Sequence, residues 1–209
     1  MAQKPVVIDI YHRTACNAES FRKAKAAGLW GVIHKASQGV RPDPKYAQRR
    51  QWALDAGLLW GGYHFNDGDD FKAQADSFVR SLNADGETLA ALDYEVYKRN
   101  MDIESCVAFM KIVEDRLGKS CAIYSGDALK SNIHKLNDAD VEYITGKRLW
   151  LAQYGPRAVL PKGFDRYFLW QYTGDGVGEG PHTIAGFGDG QDMNTYDGTF
   201  EDLRTEWCD

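Results

Sequence analysis

Much of what this 209-residue chain is not follows from what it has little of. Basic residues are in the minority, 25 Lys and Arg against 30 Asp and Glu for a formal charge of −5. A phosphate-tracking surface needs clustered cations, so nucleic acid is not expected as a partner. No apolar run reaches the roughly 20 residues that cross a bilayer, so no membrane insertion is expected. The four cysteines, Cys16, Cys106, Cys121 and Cys208, lack the close pairs of a zinc site. Cys106 falls on an apolar helix stripe and Cys121 opens an apolar strand, so both read as reduced, buried thiols. Residues 1–5 run straight into Val6-Val7-Ile8 without the apolar core and small-residue cleavage site of a secretory signal. Synthesis in the cytoplasm without a signal peptide is therefore the expectation. Where a glycine-rich phosphate loop would follow the first strand stands Tyr11-His12-Arg13-Thr14, which argues against a doubly wound dinucleotide fold. No linker, repeat or composition shift divides residues 1–209, and one domain is expected.

What is present is an alternation of strand and helix. Apolar strands are expected at 6–10, 30–35, 58–65, 88–95, 121–125, 148–154 and 167–172, with a short eighth near 191–194. Between them, Asn17 suits an N-cap and Gly28 a helix stop, and a weakly patterned helix covers 43–56. Phe71, Ala75, Phe78, Val79 and Leu82 recur at helical spacing, as do Ile103, Cys106, Val107, Met110, Val113 and Leu117 before Gly118. Two short helices near 127–133 and 138–144 follow, then 155–165, too proline-interrupted for a helix, and a glycine-rich stretch at 174–190 that suits a hairpin. Phe200, Leu203 and Trp207 mark a closing helix. The pattern predicts a parallel α/β fold, a modified TIM-type (β/α) barrel with an irregular, helix-poor second half.

In such barrels the chemistry sits at the C-terminal ends of the strands, which share one mouth. Read in order, those ends supply Asp9, Lys35, Tyr63-His64-Phe65, Asp93 with Glu95, Tyr124, Gln153-Tyr154, Gln171-Tyr172 and Asp192. Asp93 and Glu95, two residues apart on a strand, point to one face with Tyr94 on the other. Their mutual repulsion and partial burial would keep one carboxyl protonated and the other ionised, the division that glycosidic cleavage needs. Strands one and eight are neighbours across the barrel seam, so Asp9 and Asp192 are expected side by side. Aromatic faces beside amides and carboxylates suit a sugar polymer. Trp30, Trp52 and Trp207 read as core, and His64 as a hydrogen-bonded supporting imidazole.

Taken as a set, Asp9, Gly31-Val32-Ile33-His34-Lys35-Ala36-Ser37-Gln38-Gly39, Gly61-Gly62-Tyr63-His64-Phe65, Leu92-Asp93-Tyr94-Glu95, Trp170-Gln171-Tyr172 and Asp192-Met193-Asn194 resemble the family 25 glycoside hydrolases, lysozymes of the Chalaropsis type found among autolysins and phage endolysins. The resemblance spans nearly the whole chain. It implies β-1,4-N-acetylmuramidase activity on peptidoglycan with net retention, no cofactor and no metal. It implies Glu95 as general acid and Asp93 as the group that orients the substrate's N-acetyl group or itself attacks. Asp9 and Asp192 would flank the pair, and Lys35, Tyr63, Phe65, Tyr124, Tyr154 and Gln171 would bind glycan. A monomer acting on the cell wall after release or export is expected. The chain departs from the family pattern at Gln38, often an acid there, and at Tyr11, often a small residue. No wall-binding repeat follows the barrel, so targeting is expected from the cleft or from another chain. Two other readings remain at this level. A non-catalytic glycan-binding barrel would have lost one of the paired acids. A metal-dependent hydrolase would use Asp9, His64, Asp93, Glu95 and Asp192 as ligands.

Overall fold

The structure is a computed structural model and describes residues 6–68, 70–95 and 100–209. In chain order it runs β1 (Val7–Ile10), α1 (Ala18–Ala26), β2 (Gly31–Gln38), β3 (Arg41–Pro42), α2 (Tyr46–Asp55), β4 (Leu59–Phe65), α3 (Phe71–Leu82) and β5 (Leu89–Asp93). It continues with α4 (Ile103–Leu117), β6 (Cys121–Ser125), α5 (Asp127–Asn132), α6 (Asp138–Thr145), β7 (Leu149–Ala152), β8 (Leu169–Gly174), β9 (Val177–Gly178), β10 (Asp192–Thr195) and α7 (Phe200–Cys208). Eight strands close a barrel in the order β1-β10-β8-β7-β6-β5-β4-β2, sealed by the pairing of β2 with β1. Residues 155–165 carry no helix, and the second half is irregular, as the proline and glycine content implied.

Helix ends follow the local chemistry. Asn17 and Ser20 form a reciprocal cap on α1, and Asp102 accepts from Ser105 N at the start of α4. Gly118 ends α4 at φ 65°, a conformation open to glycine at little cost.

The expectation of an all-parallel barrel is corrected at one strand. β10 is antiparallel to both neighbours, β1 and β8. A parallel return needs a crossover long enough to reach the other end of the barrel, usually a helix. The segment before β10 forms none and instead packs Phe187 against Phe21 of α1. β10 therefore starts at the mouth and runs down, so Asp192 reaches the rim as the first residue of its strand. The fourth expected strand is also shorter, since β5 stops at Asp93 and Glu95 lies just past it. Tyr94 N still bonds Tyr124 O at 2.9 Å, which carries the β5–β6 spacing one residue further.

The strands sort their side chains onto two faces. Outward residues join the helices in the larger core, and inward ones such as Val7, Ile33, Leu89, Ala91 and Leu169 fill the barrel. The lower end is plugged by Trp207 of α7, fully buried, whose indole N–H donates to Trp60 O at 2.9 Å. Room for it comes from two glycines: a Cβ on Gly31 or Gly61 would stand 3.2 Å from the indole. Removing the Trp207 side chain should cost roughly 3–5 kcal/mol. With the bottom sealed, access is from the mouth.

Candidate active site

Around the mouth, strand parity turns Asp9, Lys35, Tyr63, Phe65, Asp93, Tyr124 and Gln171 inward. With Glu95, Tyr154 and Asp192 they line a single cavity of about 530 Å³. The ten residues that the resemblance implies for catalysis and glycan binding thus meet in one place. His64 does not. The residue after Tyr63, it faces the helices, stacks on Phe109 at 4.8 Å and pairs with Ser37 and Gln74. It supports the wall between strand and helix, not the cleft.

Asp9 is held by a relay that starts on a donor-only group. Trp150 Nε1 donates to Asn194 Oδ1 at 2.5 Å, which leaves the Asn194 amide nitrogen to donate to Asp9 Oδ1 at 2.8 Å. From the other side, Tyr124 donates to Gln171 Oε1 at 2.7 Å and Gln171 Nε2 donates to the same Asp9 oxygen at 2.9 Å. Gln171 and Tyr124 therefore spend their polar atoms on each other and on Asp9. Next to Asp9, and its direct strand partner, is Asp192. Burial raises both: Asp9 to about 6, partly offset by its two amide donors, and Asp192 to about 8, with the charge of Asp9 adding to burial. At neutral pH Asp192 is the protonated member and donates to an ionised Asp9, as two carboxyls in contact must arrange.

Asp93 is 5% exposed, and its Oδ1 has no hydrogen-bond partner among the described residues. Burial holds its carboxyl well above the ordinary range, the charges of Glu95 and Asp9 add to this, and the Lys35 ammonium opposes it. Glu95 is half-buried and is also raised, by burial first and then by Asp9 and Asp175. Lys35 Nζ lies 5.0 Å from the Tyr11 ring centre and 5.9 Å from that of Phe65, within cation–π range.

Sequence reasoning missed several participants. Trp150 was indistinguishable from core because its one polar atom finds a partner only after β10 is placed. Asp175 lines the cavity from the turn between β8 and β9, at φ 51°, and its main-chain N–H donates to Asp192 Oδ1 at 3.1 Å. The pair Asp175-Gly176 was its only signal, since Asp-Gly favours such turns. Gly174 is the other missed position: a Cβ there would collide with the Tyr154 hydroxyl and with Asp192.

The cavity is the middle of a longer groove. One limb, about 400 Å³, shares Glu95, Tyr124 and Tyr154 and runs past Gly126 and Asp127. The other, about 510 Å³, shares His12, Lys35 and Gln38 and runs along Arg41 to Pro44. Among the described residues, no group of three or more His, Cys, Asp or Glu could hold a metal ion, and His64 lies across the strand from the four acids.

A barrel whose mouth gathers proton-holding carboxyls in the middle of an aromatic-walled groove is the architecture of a glycosidase. The chain matches the model of glycosyl hydrolases family 25 over residues 8–181 and belongs to that family. Among solved structures it is similar to a bacterial lysozyme from Streptomyces coelicolor, with TM-score 0.81, 22% identity and 99% of each chain covered. It is also similar to a muramidase from Trichobolus zukalii, with TM-score 0.75, 25% identity, and 96% of this chain and 97% of that one covered. An uncharacterized protein of Escherichia coli, YegX, is 29% identical over 176 residues, 81% of this chain and 60% of that protein. The chain thus spans about 60% of the length of the curated relatives it matches.

Proposed function

We propose that this glycosidase is a β-1,4-N-acetylmuramidase that cuts peptidoglycan glycan strands inside the cell wall with net retention of configuration. The observation that carries this reading is the placing of Asp93 and Glu95 at the centre of a groove open on both sides, which suits an internal bond of a polymer. Glu95 is the general acid: its raised proton affinity keeps the proton that the leaving oxygen takes as the C1–O bond breaks. Asp93 Oδ1 is a buried acceptor without a partner among the described residues, suited to the N–H of the substrate's acetamido group. That hydrogen bond favours the ionised form of Asp93, so the proton that the two carboxyls compete for settles on Glu95. With its N–H held, the acetamide oxygen attacks C1 and the leaving sugar takes the proton of Glu95. The Glu95 carboxylate then deprotonates the water that opens the cyclic intermediate on the face the leaving group left. Asp9, Tyr124 and Gln171 form the braced wall beneath this exchange. Lys35, Tyr63, Phe65 and Tyr154 present ring faces and a cation to the sugars.

Digestion of purified peptidoglycan followed by borohydride reduction tests the bond assignment. Newly reduced muramic acid is the expected product. Reduced glucosamine, or released peptides without new reducing ends, would overturn it.

A further inference from the structure

The two limbs of the groove differ in charge. The centre and the limb beyond Glu95 are acidic, whereas Lys35 and Arg41 line the limb leading to Arg41, and Arg13 lines the central cavity from which that limb opens. We infer that this basic limb is a carboxylate-binding subsite for the acidic groups that peptidoglycan carries beside its sugars, with Arg13 and Arg41 as donors. The inference rests on the proposed substrate, but on different residues from those that cut it.

Three observations carry it. The first is the buried structure that holds Arg13 in place. Arg49, 4% exposed, donates to the carbonyls of Tyr11 and Thr14, both at 2.6 Å, and of His12 at 3.5 Å. Asp43 accepts from the main-chain N–H of His12 at 3.1 Å and meets its ring at 2.9 Å. Every main-chain neighbour of Arg13 is fixed, yet its own side chain is exposed and makes no hydrogen bond or ion pair among the described residues. Burying a guanidinium to brace a loop is costly, and an ordinary surface turn does not need it.

The second observation is that Arg41 arrives from an independent element, the short hairpin in which Gln38 pairs with Arg41, and it too is exposed without a partner. The third is that two of these cations, Arg13 and Lys35, repel each other. Burial lowers the proton affinity of Lys35, and the charge of Arg13 lowers it further, against the pull of Asp43 and Asp93. Arg13, Lys35 and Arg41 outnumber the two acids on this limb, Asp43 and Asp67, and Asp43 is already held by His12 and by the Lys45 N–H at 2.9 Å. Arginine forks match carboxylates in geometry as well as charge.

The anion could be the lactyl carboxylate of muramic acid or a carboxylate of the stem peptide. The test uses peptidoglycan before and after carbodiimide amidation of its carboxyl groups, with an R13Q/R41Q double variant. For the parent enzyme, amidation should raise KM roughly fivefold, the sum of two exposed charge-assisted contacts. The double variant should show that higher KM on both materials. Equal KM for the parent enzyme on both, or a further loss for the variant on amidated strands, would overturn the subsite. Amidase-stripped strands, which keep the lactyl carboxylate and lack the peptide, assign the source: persistent arginine dependence points to lactate, its loss to peptide. Binding of E95Q to the same materials separates this inference from the hydrolytic reading. Carboxylate-dependent binding without new reducing ends would keep the subsite and remove the muramidase. Cutting with amidation-indifferent binding would do the reverse.

Discussion

The two faces of the barrel wall make an instructive contrast, because the histidines on the outer face and the acids on the inner face have been driven in opposite directions by burial. On the outer face, His34 and His64 are fully buried and pushed down to about 4, mainly by desolvation. Their partners settle the tautomers. Arg49 can only donate, so His34 Nε2 accepts from it at 3.1 Å and Nδ1–H donates to Lys35 O at 2.7 Å. His64 lies 2.9 Å from Gln74 Oε1 and 2.8 Å from the Ser37 hydroxyl. Both rings are neutral struts. On the inner face the same desolvation raises Asp9, Asp93, Glu95 and Asp192, which keeps protons in the cleft. One physical cause thus yields a charge-silent wall on one side and a proton-holding site on the other, and parity along a strand decides which a residue joins.

The sharpest way to break this contrast is to remove a proton donor from the inner face. E95Q should lower kcat by at least ~10²-fold with the thermal midpoint retained, as loss of a general acid does. Near-normal turnover would take Glu95 out of that role. Removing a strut should do the opposite: H64L strands the Ser37 hydroxyl and Gln74 and should cost roughly 1–3 kcal/mol by denaturant titration, with kcat within about twofold of the parent enzyme. A large kcat loss in the folded H64L protein would place His64 in the chemistry.

The pH dependence of stability sharpens the comparison further. His64 binds its proton less readily folded than unfolded, so its contribution is full above pH 6.5 and is lost as pH falls toward about 4. Asp192, raised from 3.8 to about 8, has the opposite sign: the unfolded chain ionises first, so stability falls as pH rises across that window. D192N keeps a donor for Asp9 and should gain stability steadily relative to the parent enzyme between pH 4 and pH 8, with the difference levelling off above. A constant difference across the range would mean that Asp192 is not the protonated member. The smallest effect is expected from D175N. It preserves a turn that Asn also tolerates but removes a charge that raises Glu95, so the alkaline limb of the kcat profile should move to lower pH. An unmoved limb would separate Asp175 from Glu95.

Local patterns made much of this legible. Apolar runs ending in acids marked the strand ends, and stripes such as Ile103 to Leu117 marked helices now seen at those positions. The doubled glycines of β4 are sites of close contact: Gly61 admits Trp207, and Gly62 lies under Leu82 and Tyr46. The strand direction of β10 was not legible, because alternation looks the same in parallel and antiparallel strands. The clamp of Arg49 on the β1–α1 loop was hidden for a related reason, since its partners are carbonyls 35 to 38 positions away in the chain, and carbonyls carry no sequence identity.

By itself the order of residues determined that Asp93 at the end of β5 and Glu95 two positions on would reach the same cavity. It also determined where helices must stop, because steric limits at glycine and proline act within a few bonds. Only closure of the barrel brought Asp9 and Asp192, 183 positions apart, into direct pairing. Closure likewise made Trp150 brace Asn194 and left one limb of the groove basic. Those outcomes depend on low-dielectric contact between distant segments, and such contact exists only once the solvent between them has been expelled.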